Sequence, residues 1–211
     1  MTRSKNKKYF IIILSSVFIL ISSIFYMYFF TTFFISNKLE IKYLEELNYA
    51  RKLLNEGFIE KALNKESNNS HLGFLGIISK TPLTKIGNIS IFYASICYYN
   101  IGNYVKSIEM MNKFKTKDNV LYFIKYGIIG DAYLQMKKKE QSLKNYIIAS
   151  KINNNKIFTP IFCYKAALLS YSMGKYKDSK RYLKKIEQEY PTFFYKENVE
   201  KYLMLIENKF S

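Results

Sequence analysis

The sequence predicts an all-α protein: an N-terminal transmembrane helix, then an α-solenoid of paired helices closed by a C-terminal capping helix. Three observations carry this. Residues Tyr9 to Asn37 contain no charged side chain. From Lys38 onward, apolar residues recur at spacings of three and four, which places them on one helix face, and no stretch alternates long enough to signal a strand. Three segments of the C-terminal half also superimpose without gaps at intervals of 35 and 37 residues, which is the mark of a stacked repeat.

Composition bounds what such a protein can do. The 211 residues include eight Gly, three Pro and two Cys, which excludes disulfide-stapled, collagen-like and Pro/Gly-rich disordered chains. The formal charge is +17, yet the cations are 30 Lys and only three Arg. A surface selected to grip phosphate or read bases would be richer in the forked guanidinium. Lys, Asn, Ile, Tyr and Phe together make up 112 of the 211 residues, and all have A/T-rich codons. Much of the charge therefore reflects base composition, and nucleic acid is a disfavoured partner.

The elements follow in order. A basic tail over 1–8 carries Arg3, Lys5, Lys7 and Lys8. A transmembrane helix is expected over 9–36: within Phe10–Phe30, fourteen of twenty-one residues are Ile, Leu, Val or Phe, and such a helix is about 30 Å long, the thickness of the bilayer hydrocarbon. Lys38 and Lys42 beyond it are interleaved with Glu40, Glu45 and Glu46. The denser cations before the span keep the N-terminus cytoplasmic and send the rest of the chain across. A signal peptide is the competing reading, but its apolar region is shorter and ends in an Ala-x-Ala-like site, whereas the first alanine here is Ala50.

An N-terminal helical segment is expected over 38–80. It opens with Leu39, Tyr43, Leu47, Ala50 and Leu54 on one face, then breaks into "GFIEKAL" and "HLGFLGIIS" around a polar "NKESNNS" loop. Repeats occupy 82–191. The segments "SICYYNIGNYVKSIEMMNKF", "GDAYLQMKKKEQSLKNYIIA" and "ALLSYSMGKYKDSKRYLKKI" each start on a small residue (Ser95, Gly130, Ala167). Each turns at Gly102, Lys137 or Gly174 and carries a serine five residues later (Ser107, Ser142, Ser179). Glycine ends a helix in the left-handed conformation, and small residues let paired helices approach. In the middle repeat Lys137 and Lys139 replace the glycine and the aromatic, which leaves its turn geometry open.

The expected pairs are 82–101 with 104–116, 119–137 with 139–151, and 160–173 with 176–189. Thr81–Pro82 and Thr159–Pro160 read as N-cap and first helical residue, and Pro191 stops the last pair. A capping helix within 192–211, at about 193–209, places Val199, Tyr202, Leu203, Ile206 and Phe210 on one face.

This pattern resembles the tetratricopeptide repeat, a helix–turn–helix unit of about 34 residues, over about Asn88 to Pro191. The whole arrangement of basic tail, span and exported repeats also resembles the YfgM-like ancillary subunits of the bacterial Sec translocon. The segments "GFLGIISKTPLTKIGNISIFYASICYYNIGNYVKSIEMMNKF" and "GDAYLQMKKKEQSLKNYIIAS" look like the Bacteroidetes-type members. The resemblance implies a single-pass protein of the inner membrane, its repeats in the periplasm beside the translocon, meeting exported chains or chaperones.

By the geometry of such repeats, a groove is lined by Phe92, Ile96, Tyr99 and Asn100, then Asp131, Leu134 and Gln135, then Tyr164, Leu168 and Tyr171. Tyrosines and amides suit peptide binding, although packing between repeats accounts for any one of these residues equally well. Asp131 stands out as a carboxylate among apolar neighbours, placed to face the groove or to cap a backbone group.

Nothing points to catalysis. The one histidine, His71, sits in a polar stretch with no metal-ligand spacing around it, and reads as a surface residue. No nucleophile-elbow or phosphate-loop motif is present. Cys97 and Cys163 fall in apolar helical patterns and read as buried small hydrophobes. The expected protein is a non-catalytic, membrane-anchored interaction module with no cofactor, metal or small-molecule substrate. Its partners are exported chains, translocon proteins or envelope proteins. A structural scaffold of an envelope complex and a cationic binder of anionic lipid headgroups are the alternatives.

Overall fold

The computed structural model describes residues 2–64, 71–151 and 155–209. Among these it contains ten helices and no strand. The first, α1 (Thr2–Asn55), runs 54 residues without a break, about 81 Å at 1.5 Å per residue. No Gly or Pro precedes Gly57, so nothing interrupts its hydrogen-bond ladder, and the expected span and the helix after it are one rod. Ser15–Phe34 within it is long and apolar enough to cross a membrane and packs against no other part of the chain. The hydroxyls of Ser22, Ser23, Thr31 and Thr32 donate to carbonyls three or four residues back, which satisfies them inside the helix.

The last third of α1 belongs to the solenoid. Leu47, Ala50 and Leu53 are buried there, and the chain then turns at Gly57, φ +85°, into α2 (Ile59–Leu63). This is a fourth helix pair, which the sequence reading did not recognise as a repeat. Ala50 stands seven residues before its turn, as Ser95, Gly130 and Ala167 do before theirs. Ala62 stands five after, as Ser107, Ser142 and Ser179 do, and all four of these are fully buried. From Gly57 to Gly102 is 45 residues, longer than the other intervals, and Asn64 and Gly73, nine positions apart in sequence, lie against each other. At Gly73 φ is +59°, and a Cβ there would overlap the backbone of Asn64. No other residue fits that contact. His71, expected on the surface, is instead half-buried on α1. It stacks on Tyr49 with ring centroids 3.6 Å apart, and the Glu46 carboxylate accepts the Leu72 N–H at 3.1 Å.

Beyond lie α3 (Gly73–Lys80), α4 (Lys85–Asn100), α5 (Tyr104–Lys113), α6 (Asn119–Gln135), α7 (Lys139–Ser150), α8 (Phe158–Ser172), α9 (Tyr176–Glu189) and α10 (Lys196–Glu207). The three sharp turns α4–α5, α6–α7 and α8–α9 share one geometry. The N–H of Asn103, Lys138 and Lys175 donates to the carbonyl of Tyr98, Tyr133 and Ser170 at 2.8–2.9 Å, the bond that closes a helix through a left-handed residue. Phe58 makes the same bond to Leu53 at the α1–α2 turn. The middle turn does not depart from the others, because Lys137 itself adopts φ +59°.

Two helix starts differ from expectation. The N-cap of α4 is Thr84, whose Oγ1 accepts the Gly87 N–H at 3.0 Å. Thr81 is buried and donates to the Ile77 carbonyl instead, leaving Pro82 in the connecting turn. In α8 the helix begins at Phe158, before Thr159–Pro160. Asn155 Oδ1 accepts the N–H of both Ile157 and Phe158 at 2.9 Å, and Pro160 falls in the first turn, where its missing N–H costs nothing. The last pair ends at Glu189, just before Pro191, as expected.

Within each pair the helices cross at small residues. Ser95 Oγ donates to the Ser107 carbonyl at 2.8 Å. At Gly130 the Tyr146 ring lies so close that a Cβ would come within 2.6 Å of it. The pairs stack so that the first helices α4, α6 and α8 touch in sequence, while the second helices α5, α7 and α9 have no comparable packing on one another. The first helices therefore form the inner face of the curve. The capping helix α10 covers the end of the stack with Val199, Leu203 and Ile206 buried and Tyr202 half-buried. Phe210, expected on the same face, lies outside the described residues.

Candidate protein-interaction groove

The inner face is assembled from one stripe on each first helix. On α4, Ile96 and Tyr99 are half-buried and Asn100 is exposed. On α6, Asp131 is half-buried while Leu134 and Gln135 are exposed. On α8, Tyr164, Leu168 and Tyr171 are half-buried. Phe92 is different: it is 6% exposed, packed on Phe114 at 5.2 Å and edge-on to Tyr93. Large neighbours on α4, α5 and α6 enclose it, so its ring is a core group and cannot line a groove.

Neighbouring stripes are joined by polar contacts. Tyr99 of α4 leans toward α6, where burial together with the Asp131 charge holds its hydroxyl above the usual range. Asp131 caps no backbone group. Its Oδ1 accepts from the Tyr146 hydroxyl of α7 at 2.5 Å. Lys165 Nζ of α8 donates to both carboxylate oxygens, at 2.7 and 2.9 Å, and lies 5.3 Å from the centre of the Tyr146 ring. Burial, then the bond to Asp131 and its charge, push the Tyr146 phenol far above its ordinary value. The pair is partly solvated, with Asp131 31% and Lys165 38% exposed, so its direct contribution is modest, about 1 kcal/mol or less. What it fixes is the register of α6, α7 and α8.

Sequence reasoning found Asp131 but missed both of its partners. Lys165 lies 34 residues away, one repeat on, and that separation is the only signal that could have paired them. The carboxylate also needs the glycines beside it. Gly130 admits Tyr146, and Gly127 admits the Phe162 ring, whose Cζ would lie 2.6 Å from a Cβ there.

At the far end the stripe is partly covered by the chain itself. Tyr164 stacks on Tyr195 at 5.3 Å, while Tyr171 meets Tyr202 edge-on at 5.2 Å. The segment leading into α10, and α10 itself, thus use these rings as a following repeat would. The open part of the groove runs along α4 and α6, from Tyr99 and Asn100 to Leu134 and Gln135.

The cysteines offer no chemistry to this face. Cys97 and Cys163 are both free and buried, and burial pushes the Cys97 thiol up to about 12. Among the described residues no group of three or more His, Cys, Asp or Glu is arranged to hold a metal ion.

Comparisons with known proteins agree with this geometry. Residues 164–192, which contain most of α8 and all of α9, match the tetratricopeptide repeat family. A solved structure described as the crystal structure of MamA protein aligns with a TM-score of 0.59 and 18% identity, over 77% of this chain and 79% of that one. A second structure of MamA aligns with a TM-score of 0.55 and 18% identity, over 76% of this chain and 93% of that one. No curated protein matches the chain. At this identity the likeness is one of fold. That fold is an all-helical, tetratricopeptide-like solenoid, a scaffold of the kind on which proteins bind proteins.

Proposed function

We propose that this protein is a non-catalytic interaction module, anchored in the bacterial inner membrane by Ser15–Phe34 and presenting its repeats to the periplasm. The carrying observation is the stripe on α4 and α6: a half-buried tyrosine, two exposed amides and an exposed leucine on the inner face. Such a surface suits an extended or helical segment of a protein partner. Tyrosine offers contact area at small entropic cost, and the amides of Asn100 and Gln135 can satisfy a peptide backbone. The partners that best fit an anchored module of this topology are exported chains, translocon components or other envelope proteins. The resemblance to ancillary translocon subunits supports that choice.

The topology rests on the cations before the span and on the absence of an early cleavage signal. A reporter fused at Ser211 tests it directly, and a cytoplasmic signal rejects the periplasmic and translocon readings together. The groove is tested by placing a photo-crosslinking residue at Leu134, with Lys144 on the outer helix α7 as the control site. Crosslinks to envelope or translocon proteins from Leu134 and not from Lys144 are expected in intact membranes. Equal yields from both sites would reject the inner face as the binding surface.

A further inference from the structure

The chain reverses direction at each sharp turn and again at each link between pairs, with α2 and α3 together serving as the second helix of the first pair, so its connections fall on two edges. One edge carries the sharp turns at Gly57, Gly102, Lys137 and Gly174. The other carries the longer links after each pair, at 81–84, 114–118, 155–157 and 190–195, and α1 runs up past this edge toward Ser15–Phe34.

Three features set the second edge apart. The first is the degree to which apolar side chains at the link tips are exposed: Leu83 is 95% exposed and Ile157 and Phe194 are 66% and 67%, against 52%, 42% and 54% for Phe58, Ile101 and Val105 on the sharp-turn edge. The second is charge. The stretches 80–85, 113–118, 151–157 and 190–196 hold eight Lys and one acid, and that acid, Asp118, is occupied as the N-cap of α6. The corresponding stretches of the other edge, 56–60, 101–106, 136–140 and 173–178, hold six Lys and four acids. The third is height. Aligning the Gly57 turn with the Gly102 turn sets residue 40 of α1 level with Lys85, the first residue of α4, which packs beside α1. Phe34, the last residue of the apolar segment, is then six residues higher, about 9 Å along the continuous helix. The headgroup layer on each side of a bilayer is itself about 5–8 Å thick.

We propose that the link edge nearest α1, formed by Leu83 with Lys80 and Lys85, rests on the anionic headgroups of the membrane that holds the span. Leu83 dips toward the acyl boundary. The lysines sit against phosphate, with Lys38, Glu40, Ile41 and Lys42 of α1 at the same level, two cations to one acid. A leucine flanked by cations is the composition of an interfacial contact. The unbroken α1 makes the contact reproducible, because a rod without a hinge fixes the height of the edge. The inner face is thereby held at a set distance from the membrane. This rests on reading Ser15–Phe34 as a membrane span.

The test uses the full chain with Leu83→Cys carrying an environment-sensitive fluorophore, and Lys175→Cys on the opposite edge as the reference. Cys97 and Cys163 are buried and do not compete for the label. The protein is reconstituted into vesicles of phosphatidylcholine mixed with phosphatidylglycerol. The label at 83 should emit at shorter wavelength and be quenched by aqueous iodide several-fold less than the label at 175. In vesicles of phosphatidylcholine alone, or with Lys80→Glu and Lys85→Glu together, that protection should fall. Protein that floats with the vesicles while both labels are quenched alike overturns the headgroup contact and leaves the span intact. Protein that does not float with the vesicles overturns the span, and the contact with it.

Discussion

Of the described glycines, Gly87 sits in the tightest place. A Cβ on it would lie 1.8 Å from the backbone carbonyl oxygen of Thr81, and a backbone atom cannot turn aside as a side chain can. Thr81 in turn bonds to Ile77, and Thr84 to both Thr81 and Gly87, so the α3–α4 junction is tied on every side. Gly87→Ala should cost about 3 kcal/mol, the upper end of the range for overpacking, read as a fall in the urea midpoint. A loss under about 1 kcal/mol would show that the junction can open freely. Gly130→Ala should cost less, because it meets the Tyr146 ring, which can tilt, although the bond from Tyr146 to Asp131 limits how far. Neither contact is written in the sequence. A glycine inside a helical pattern signals close approach in general, but Thr81 and Tyr146 as the contacts emerge only when the helices are placed. The same holds for Asp131, which is conspicuous as an acid among apolar residues and unreadable as the partner of Lys165.

The helix pairs were legible to within a few residues because their signals are local. Small residues seven before and five after a turn, with glycine or an equivalent in between, place α4 to α9 closely. The pair made by α1 and α2 carries the same signals around Gly57, but the extra residues between Asn64 and Gly73 lengthen its interval and break the period. The starts of α4 and α8 were misplaced for a different reason. Thr-Pro satisfies the rule for a helix start, yet Thr84 and Asn155 sit where their side chains reach more N–H groups. The middle turn allows a direct test. Lys137 is held in the left-handed region without glycine's freedom, at a cost of about 1 kcal/mol. Its equivalents Gly57, Gly102 and Gly174 also have positive φ, and no atoms lie near the position a Cβ would take at any of them. Lys137→Gly should therefore stabilise the protein by about 0.5–1 kcal/mol, the relief of strain outweighing the added freedom of the unfolded chain. A rise in the thermal midpoint is the expected reading, and an unchanged or lower midpoint would show that the turn is not strained.

At the scale of the whole molecule, each pair packs chiefly on its neighbours, so stability is close to a sum of local terms. The groove inherits this property. Its α8 stripe depends on α10 and the segment before it, because Tyr164 and Tyr171 are held by Tyr195 and Tyr202, whereas the α6 stripe depends on the Asp131–Lys165 pair. A chain ended after Pro191 loses the burial of Val199, Leu203 and Ile206. At about 1.5–3 kcal/mol for each side chain, that approaches the whole stability of an ordinary domain. In a solenoid the loss need not be shared evenly. Hydrogen exchange on the truncated chain should show α8 and α9 losing protection, with Leu183 and Ile186 uncovered, while α4 and α5 keep most of theirs. Uniform loss along the chain would instead mean that the pairs fold as a single cooperative unit. Crosslinking from Leu134 on the same truncated chain connects this to function. If the open groove on α4 and α6 is the working surface, partner capture there should survive the loss of α10. Capture that vanishes together with the protection of α8 alone would move the binding surface to the tyrosines of the last pair.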